Sequence, residues 1–191
     1  MPKIFGNMSQ ETIVFLLAAA LFVASAVSLN GFLQANNLIA IVRSVSVLGI
    51  LAVGMGIVII GRGIDLSAVA VMAMSVAWYL QMLQDGVPDR EAFAYVLAGV
   101  VAIGVINGFM VAYADTPAIF ATLASGYFVY GFARSQLLQQ DATPVPPGNW
   151  IDELGQFHLA AVPVEVFFFA GVVFVAFLFL RFTKLGRYVY L

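Results

Sequence analysis

The sequence predicts an all-α, polytopic transmembrane helical bundle, and three observations carry that prediction. Hydrophobic residues make up 63% of the 191 residues. Charged residues make up only 9%, against roughly a quarter in ordinary soluble domains. The polar residues fall in short connectors between long apolar runs. A membrane-crossing helix needs about 20 mostly apolar residues, so the composition allows about six spans. Little chain is left for a catalytic domain outside the membrane. A soluble globular protein, a disordered chain and a disulfide-stapled secreted domain are excluded.

The apolar runs cover 12–29, 38–60, 66–83, 92–114, 117–137 and 162–182. The first resembles a signal peptide in Lys3 and in Ala24-Ser25-Ala26. Its apolar stretch is longer than a usual signal core and more spans follow, so it is read as retained. Small residues recur at helix-packing spacing: Ala52 with Gly56, Gly104 with Gly108, and Ala118 with Thr122 and Gly126. Such positions let helix backbones approach closely in lipid. Asn107 lies inside the fourth run, where its amide needs a partner on another helix. Asp115-Thr116-Pro117 reads as a turn with Asp115 or Thr116 capping the fifth helix. The sixth run carries Phe167, Phe168, Phe169, Phe174, Phe177 and Phe179 and is read as largely lipid-facing. A connector of roughly 25 residues with four of the seven prolines separates the last two runs.

Lysine and arginine set the expected orientation. With a cytoplasmic N-terminus and six spans, Lys3, Arg62, Arg181, Lys184 and Arg187 lie inside. Arg43, Arg90 and Arg134 lie outside or at its edge, and Arg43 and Arg134 are expected to snorkel to the interface.

Several chemistries drop out. Cysteine is absent and His158 is the single histidine, which leaves no thiol chemistry and a poor ligand set for a metal. A net charge of −2 gives no reason to expect nucleic-acid binding. No nucleophile elbow, zinc-binding HExxH or phosphate loop occurs. The expectation is therefore no catalytic residue, no metal and no cofactor. Any ATP used must be hydrolysed by another chain.

The most informative stretch is GRGIDLS at 61–67. Gly61 and Gly63 permit conformations that break a helix, and Asp65 and Ser67 are good N-cap types. Read locally, this is a tight turn before a capped helix, and Arg62 is an ordinary positive-inside charge. Read at membrane depth, it is a broken segment beside a translocation path, which is tolerated only when buried in protein or lining a cavity. Arg62 and Asp65 are also close enough in sequence to pair.

Four stretches in order resemble one family. The run 54–67 is similar to the GGIDLS-like signature of ribose-type ABC sugar-import permeases. Ile106-Asn107-Gly108-Phe109 resembles that family's INGxL element. The run 117–126, with Gly131-Phe132-Ala133-Arg134 after it, resembles its P-x-F-I-x-T-L-G segment and following helix end. The run 183–190 resembles its T-x-F-G-R-x-V-Y element. Arg62 stands where glycine is commoner, and Ala68-Val69-Ala70 replaces a VGS-like continuation. Family permeases continue past the last motif, so the chain resembles the N-terminal part of one, and residues 1–191 are read as a single transmembrane permease domain.

The resemblance implies a binding-protein-dependent importer for a monosaccharide or related small polar solute, in a bacterial inner membrane. It implies a second permease subunit, identical or related, two cytoplasmic ATP-binding subunits and a periplasmic sugar-binding protein. Gly61, Arg62, Gly63, Asp65, Ser67, Asn107 and Ser125 are the candidates for the substrate pathway, with Tyr127 as an aromatic face. Thr183, Lys184, Leu185, Gly186 and Arg187 begin the expected ATPase-coupling segment. The competing readings are a secondary transporter or channel, which would suit a glycine-broken helix carrying Arg62 and Asp65, and a truncated membrane subunit that does not transport.

Overall fold

The computed structural model describes residues 9–138, 144, 150–159 and 162–190. Lys3, Leu191 and residues 139–143, 145–149 and 160–161 of the proline-rich connector, Asp141 among them, lie outside the described residues, as does the side chain of His158. Each expected apolar run falls on a helix: α1 (Gln10–Ser28), α2 (Ala35–Ile60), α3 (Ala68–Gln84), α4 (Asp89–Ala112), α5 (Ala118–Phe132) and α7 (Val164–Phe182). Two short helices join them, α6 (Trp150–Gln156) and α8 (Lys184–Tyr188). A two-residue antiparallel ladder pairs β1 (His158–Leu159) with β2 (Val162–Pro163). Helices α1, α2, α4 and α7 are long and apolar enough to cross a membrane. Helix α3 has 17 residues, and α5 has 15 before a π-helical turn at Ala133–Leu137.

The chain divides into two compact units, Met1–Val45 and Ser46–Leu191. In the first, Ser9 caps α1 by accepting from the Thr12 N–H at 3.3 Å. Gly31 turns the chain at φ 83°, and Phe22 meets Phe32 edge to face at 5.3 Å. Arg43 lies half-buried, eight residues into α2, about 12 Å from the helix start.

In the second unit α3, α4 and α5 pack pairwise. The polarity is inverted relative to a soluble protein. Large apolar side chains such as Val105, Phe128, Phe174 and Val175 are exposed, as a lipid-facing surface requires. Ser67, Gln81, Asn107 and Thr122 are buried. Gly126 lets α5 approach this interior closely, since a Cβ there would stand a tight 3.3 Å from the Ser67 Cα. At one end of the α3–α4 hairpin, Tyr79 donates to Asp89, and Ala92 is fully buried in a cluster with Tyr79, Leu80 and Met82. Gly86, at φ 83°, closes α3 by a Schellman motif: its N–H reaches the Leu83 carbonyl, and the Val87 N–H reaches Met82.

Candidate functional site

The site lies at the opposite end of the α3–α4 hairpin. Helix α2 stops at Ile60 through a second Schellman motif. The Arg62 N–H reaches the Ile59 carbonyl at 2.9 Å and the Gly63 N–H reaches Val58 at 2.9 Å. This motif places its left-handed residue at Arg62, with φ 62°. The sequence locates the conformational freedom at Gly61 and Gly63; the structure puts the strained position on the arginine between them. An L-residue there costs roughly 1–2 kcal/mol relative to the right-handed region.

Residues 63–67 then run without helical hydrogen bonding and are fixed from three sides. Asp65 Oδ1 accepts from the Ser67 N–H at 2.8 Å and from the Ser67 hydroxyl at 2.6 Å. The expected capping is thereby corrected. Ser67 occupies the N-cap of α3 with no side-chain cap bond, because its hydroxyl is turned back to Asp65. Among the described residues Arg62 and Asp65 do not pair. The expected cap of α5 is likewise replaced: Pro117 is its N-cap, and neither Asp115 nor Thr116 bonds the helix end.

Helix α5 supplies the second side. Thr122 Oγ1 accepts the Leu66 N–H at 3.0 Å, while its own proton faces the carbonyls of Ala118 at 2.7 Å and Ile64 at 3.2 Å. One hydroxyl therefore serves both its own helix and the broken segment. Helix α4 supplies the third side, where Asn107 Nδ2 donates to Ser67 Oγ at 3.2 Å. The Ser67 proton is committed to Asp65, so Asn107 must present its N–H₂ to that oxygen. Its carbonyl Oδ1 is then left buried with no protein donor among the described residues. An unsatisfied buried acceptor costs about 1–3 kcal/mol.

Asp65 and Asn107 line two clefts. One, of about 430 Å³, runs between α3 and α4 and is bordered also by Ser67, Met72, Ser75 and Gly104. The other, of about 320 Å³, is bordered by Gly61, Gly63, Thr122 and Val189. Gly61, Gly63, Asp65, Ser67 and Asn107 are thus brought together. Arg62 is exposed at their edge. Ser125 is not brought to the site, since its hydroxyl donates to the Thr122 carbonyl at 3.0 Å. Tyr127 is exposed beside Leu66 and Gly126 on another face. Thr122 is the participant the sequence does not single out; its signal is a hydroxyl within the small-residue stripe Ala118, Thr122, Gly126.

The segment 183–189 lies at the same end. Thr183 Oγ1 donates to the Phe179 carbonyl at 2.7 Å and accepts the Gly186 N–H at 2.8 Å. A Cβ on Gly186 would lie 2.6 Å from the Leu180 Cα, so only glycine lets α8 fold back on the end of α7. Lys184, Leu185, Arg187 and Tyr188 are exposed on the outside of that turn.

Irregular backbone enclosed by helices with an apolar outer surface is the construction of a membrane transport component. The family comparison specifies which: the chain belongs to the family described as branched-chain amino acid transport system / permease component, matched over residues 37–191. It is similar to the ribose import permease protein RbsC of Escherichia coli strain K12, with 33% identity over 188 residues, 96% of this chain and 57% of that one. RbsC of Haemophilus influenzae is 30% identical over 164 residues, 83% of this chain and 50% of that one. The xylose transport system permease protein XylH of Haemophilus influenzae is 28% identical over 193 residues, 95% of this chain and 47% of that one. The chain spans about half the length of the curated relatives it matches. No solved structure matches it. The ribose-type resemblance is borne out, and the chain is a polytopic helical permease component.

Proposed function

We propose that the chain is a permease subunit of an ATP-driven ABC importer that carries a monosaccharide or related small polar solute across a bacterial inner membrane. The observation that carries this reading is the Asp65–Ser67–Asn107 chain on the cleft between α3 and α4. A neutral, hydroxyl-rich solute needs hydrogen-bond partners along its path and no counter-charge. Gly61, Gly63, Asp65, Ser67 and Asn107 form that path, with Arg62 at its edge. The relatives named for ribose and xylose transport support the solute class. The N-terminus is cytoplasmic in this reading, because Arg62, Arg181, Lys184 and Arg187 gather at the end of the second unit that holds α8.

Two cytoplasmic ATP-binding subunits then meet the exposed turn 183–187, a second permease subunit completes the path, and a periplasmic sugar-binding protein delivers the solute. The test is uptake of radiolabelled pentoses and hexoses by proteoliposomes holding the full-length permease with its binding protein and ATPase. ATP-dependent uptake is expected. Uptake driven by an ion gradient without ATP, or no association with any ATPase, rules the reading out.

A further inference from the structure

The turn 183–189 and the broken segment 61–67 are distant in sequence, yet Val189 and Gly61 border one cleft. Val189 follows the last turn of α8 and is half-buried, whereas its neighbours Tyr188 and Tyr190 are exposed. It faces Gly61, the C-cap of α2: a Cβ built on Gly61 would lie 3.8 Å from Val189 Cγ1. Val189 also borders the cleft that holds Asp65, Asn107 and Thr122.

The parts on either side of this contact are stiff. Thr183 hooks the α8 N–H of Gly186 to the Phe179 carbonyl, and Gly186 is seated against the α7 backbone, so α8 and the end of α7 form one body. On the other side, the Schellman bonds of Arg62 and Gly63 tie the end of α2 to the segment that carries Asp65. A displacement of α8 therefore reaches the Arg62 cap through Val189, which stands beside Gly61.

We infer that Val189 is a positioning residue that transmits movement of α8 to the 61–67 segment and so sets the Asp65–Ser67–Asn107 chain. The inference rests on the reading of 183–187 as the surface an ATPase engages. It requires that Val189 and Gly61 stay in contact through the transport cycle.

The chain has no cysteine, so introduced thiols report without background. A Gly61→Cys/Val189→Cys pair in the full-length permease, assembled with its ATPase and binding protein, should form a disulfide under mild oxidation. A Cβ on Gly61 meets only ordinary van der Waals neighbours, at 3.4 Å from the Val58 carbonyl oxygen and beyond, and Gly61 has no positive φ. The oxidised complex should retain uptake. Val189→Gly, which removes the contact, should lower uptake per ATP hydrolysed about tenfold, within the range expected for loss of an inter-site coupling contact. Val189→Ile should restore it.

Failure of the disulfide to form, loss of uptake on oxidation, or unchanged coupling in Val189→Gly each overturns the inference. A Lys184→Cys cross-link to the ATPase separates the two readings. Its absence removes the input and overturns the relay together with the coupling-surface reading. Its presence with a fully coupled Val189→Gly overturns the relay alone.

Discussion

Replacing Asn107 by Leu separates what this residue does for stability from what it does for transport. The two side chains branch alike, so the substitution exchanges polar atoms for apolar ones of similar shape. One hydrogen bond is lost, the 3.2 Å contact from Nδ2 to Ser67 Oγ. Such a bond between helices in a membrane is worth about 0.6–1 kcal/mol. One penalty is also lost, that of the buried Oδ1 with no protein donor, about 1–3 kcal/mol. Ser67 keeps its bond to Asp65, and the adjoining clefts give the methyl groups room. The expected net effect is a stabilisation of roughly 1 kcal/mol. Solute uptake should fall sharply, because the path loses an amide. Denaturant unfolding in detergent micelles, followed by tryptophan fluorescence, reads the first effect, and proteoliposome uptake reads the second. A destabilisation of more than about 1 kcal/mol would show that Asn107 is a structural tie between α4 and the α3 start and would refute the reasoning. Asn107→Asp is the contrasting variant: a second carboxylate beside Asp65 should destabilise by several kcal/mol.

Further substitutions probe the supports of the site. Gly186→Ala forces a methyl group to within 2.6 Å of the Leu180 Cα, and the overpacking should cost about 1–3 kcal/mol in thermal unfolding and loosen ATPase association. Thr122→Val leaves the Leu66 N–H without its acceptor and should cost about 1–3 kcal/mol, while Thr122→Ser should retain most of the wild-type stability. Arg62→Gly relieves the left-handed conformation, worth roughly 1–2 kcal/mol, against a glycine entropy cost of roughly 0.5–1 kcal/mol; a small gain in unfolding free energy is expected.

Much of the fold is legible in the sequence because lipid allows few solutions. Apolar runs of span length must be helices, and the observed C-terminal ends of α2 and α4 fall within two residues of the expected ones. The break at 61–67 is legible for the same reason: glycines, charges and a hydroxyl interrupt an apolar run there. What the residues within it do is not. Ser67 looks like a cap, yet Asp65 draws its hydroxyl away. Ser125 and Thr122 are both hydroxyl residues on α5, three apart, and only their rotation about the helix axis decides which meets the Leu66 N–H. That rotation follows from Gly126 seating α5 against Ser67, a tertiary fact with no local signature. The π-helical turn at Ala133–Leu137 ends α5 earlier than its apolar run suggests, and nothing in the structure explains it.

In the proposed function the Asp65–Ser67–Asn107 chain borders a solute path and not a lipid-facing packing seam. Thiol labelling tests it most directly. Gly104 lines the α3–α4 cleft, and a Cβ there meets nothing within 4 Å, so Gly104→Cys is accommodated. Val105, on the next position, is 66% exposed on the apolar surface and makes Val105→Cys the control. In membranes holding the assembled full-length transporter, a water-soluble maleimide should label Gly104→Cys, transported solute should slow that labelling, and Val105→Cys should stay unlabelled. Equal protection of both positions from the reagent in every nucleotide state would mean that the α3–α4 cleft is not a solute path.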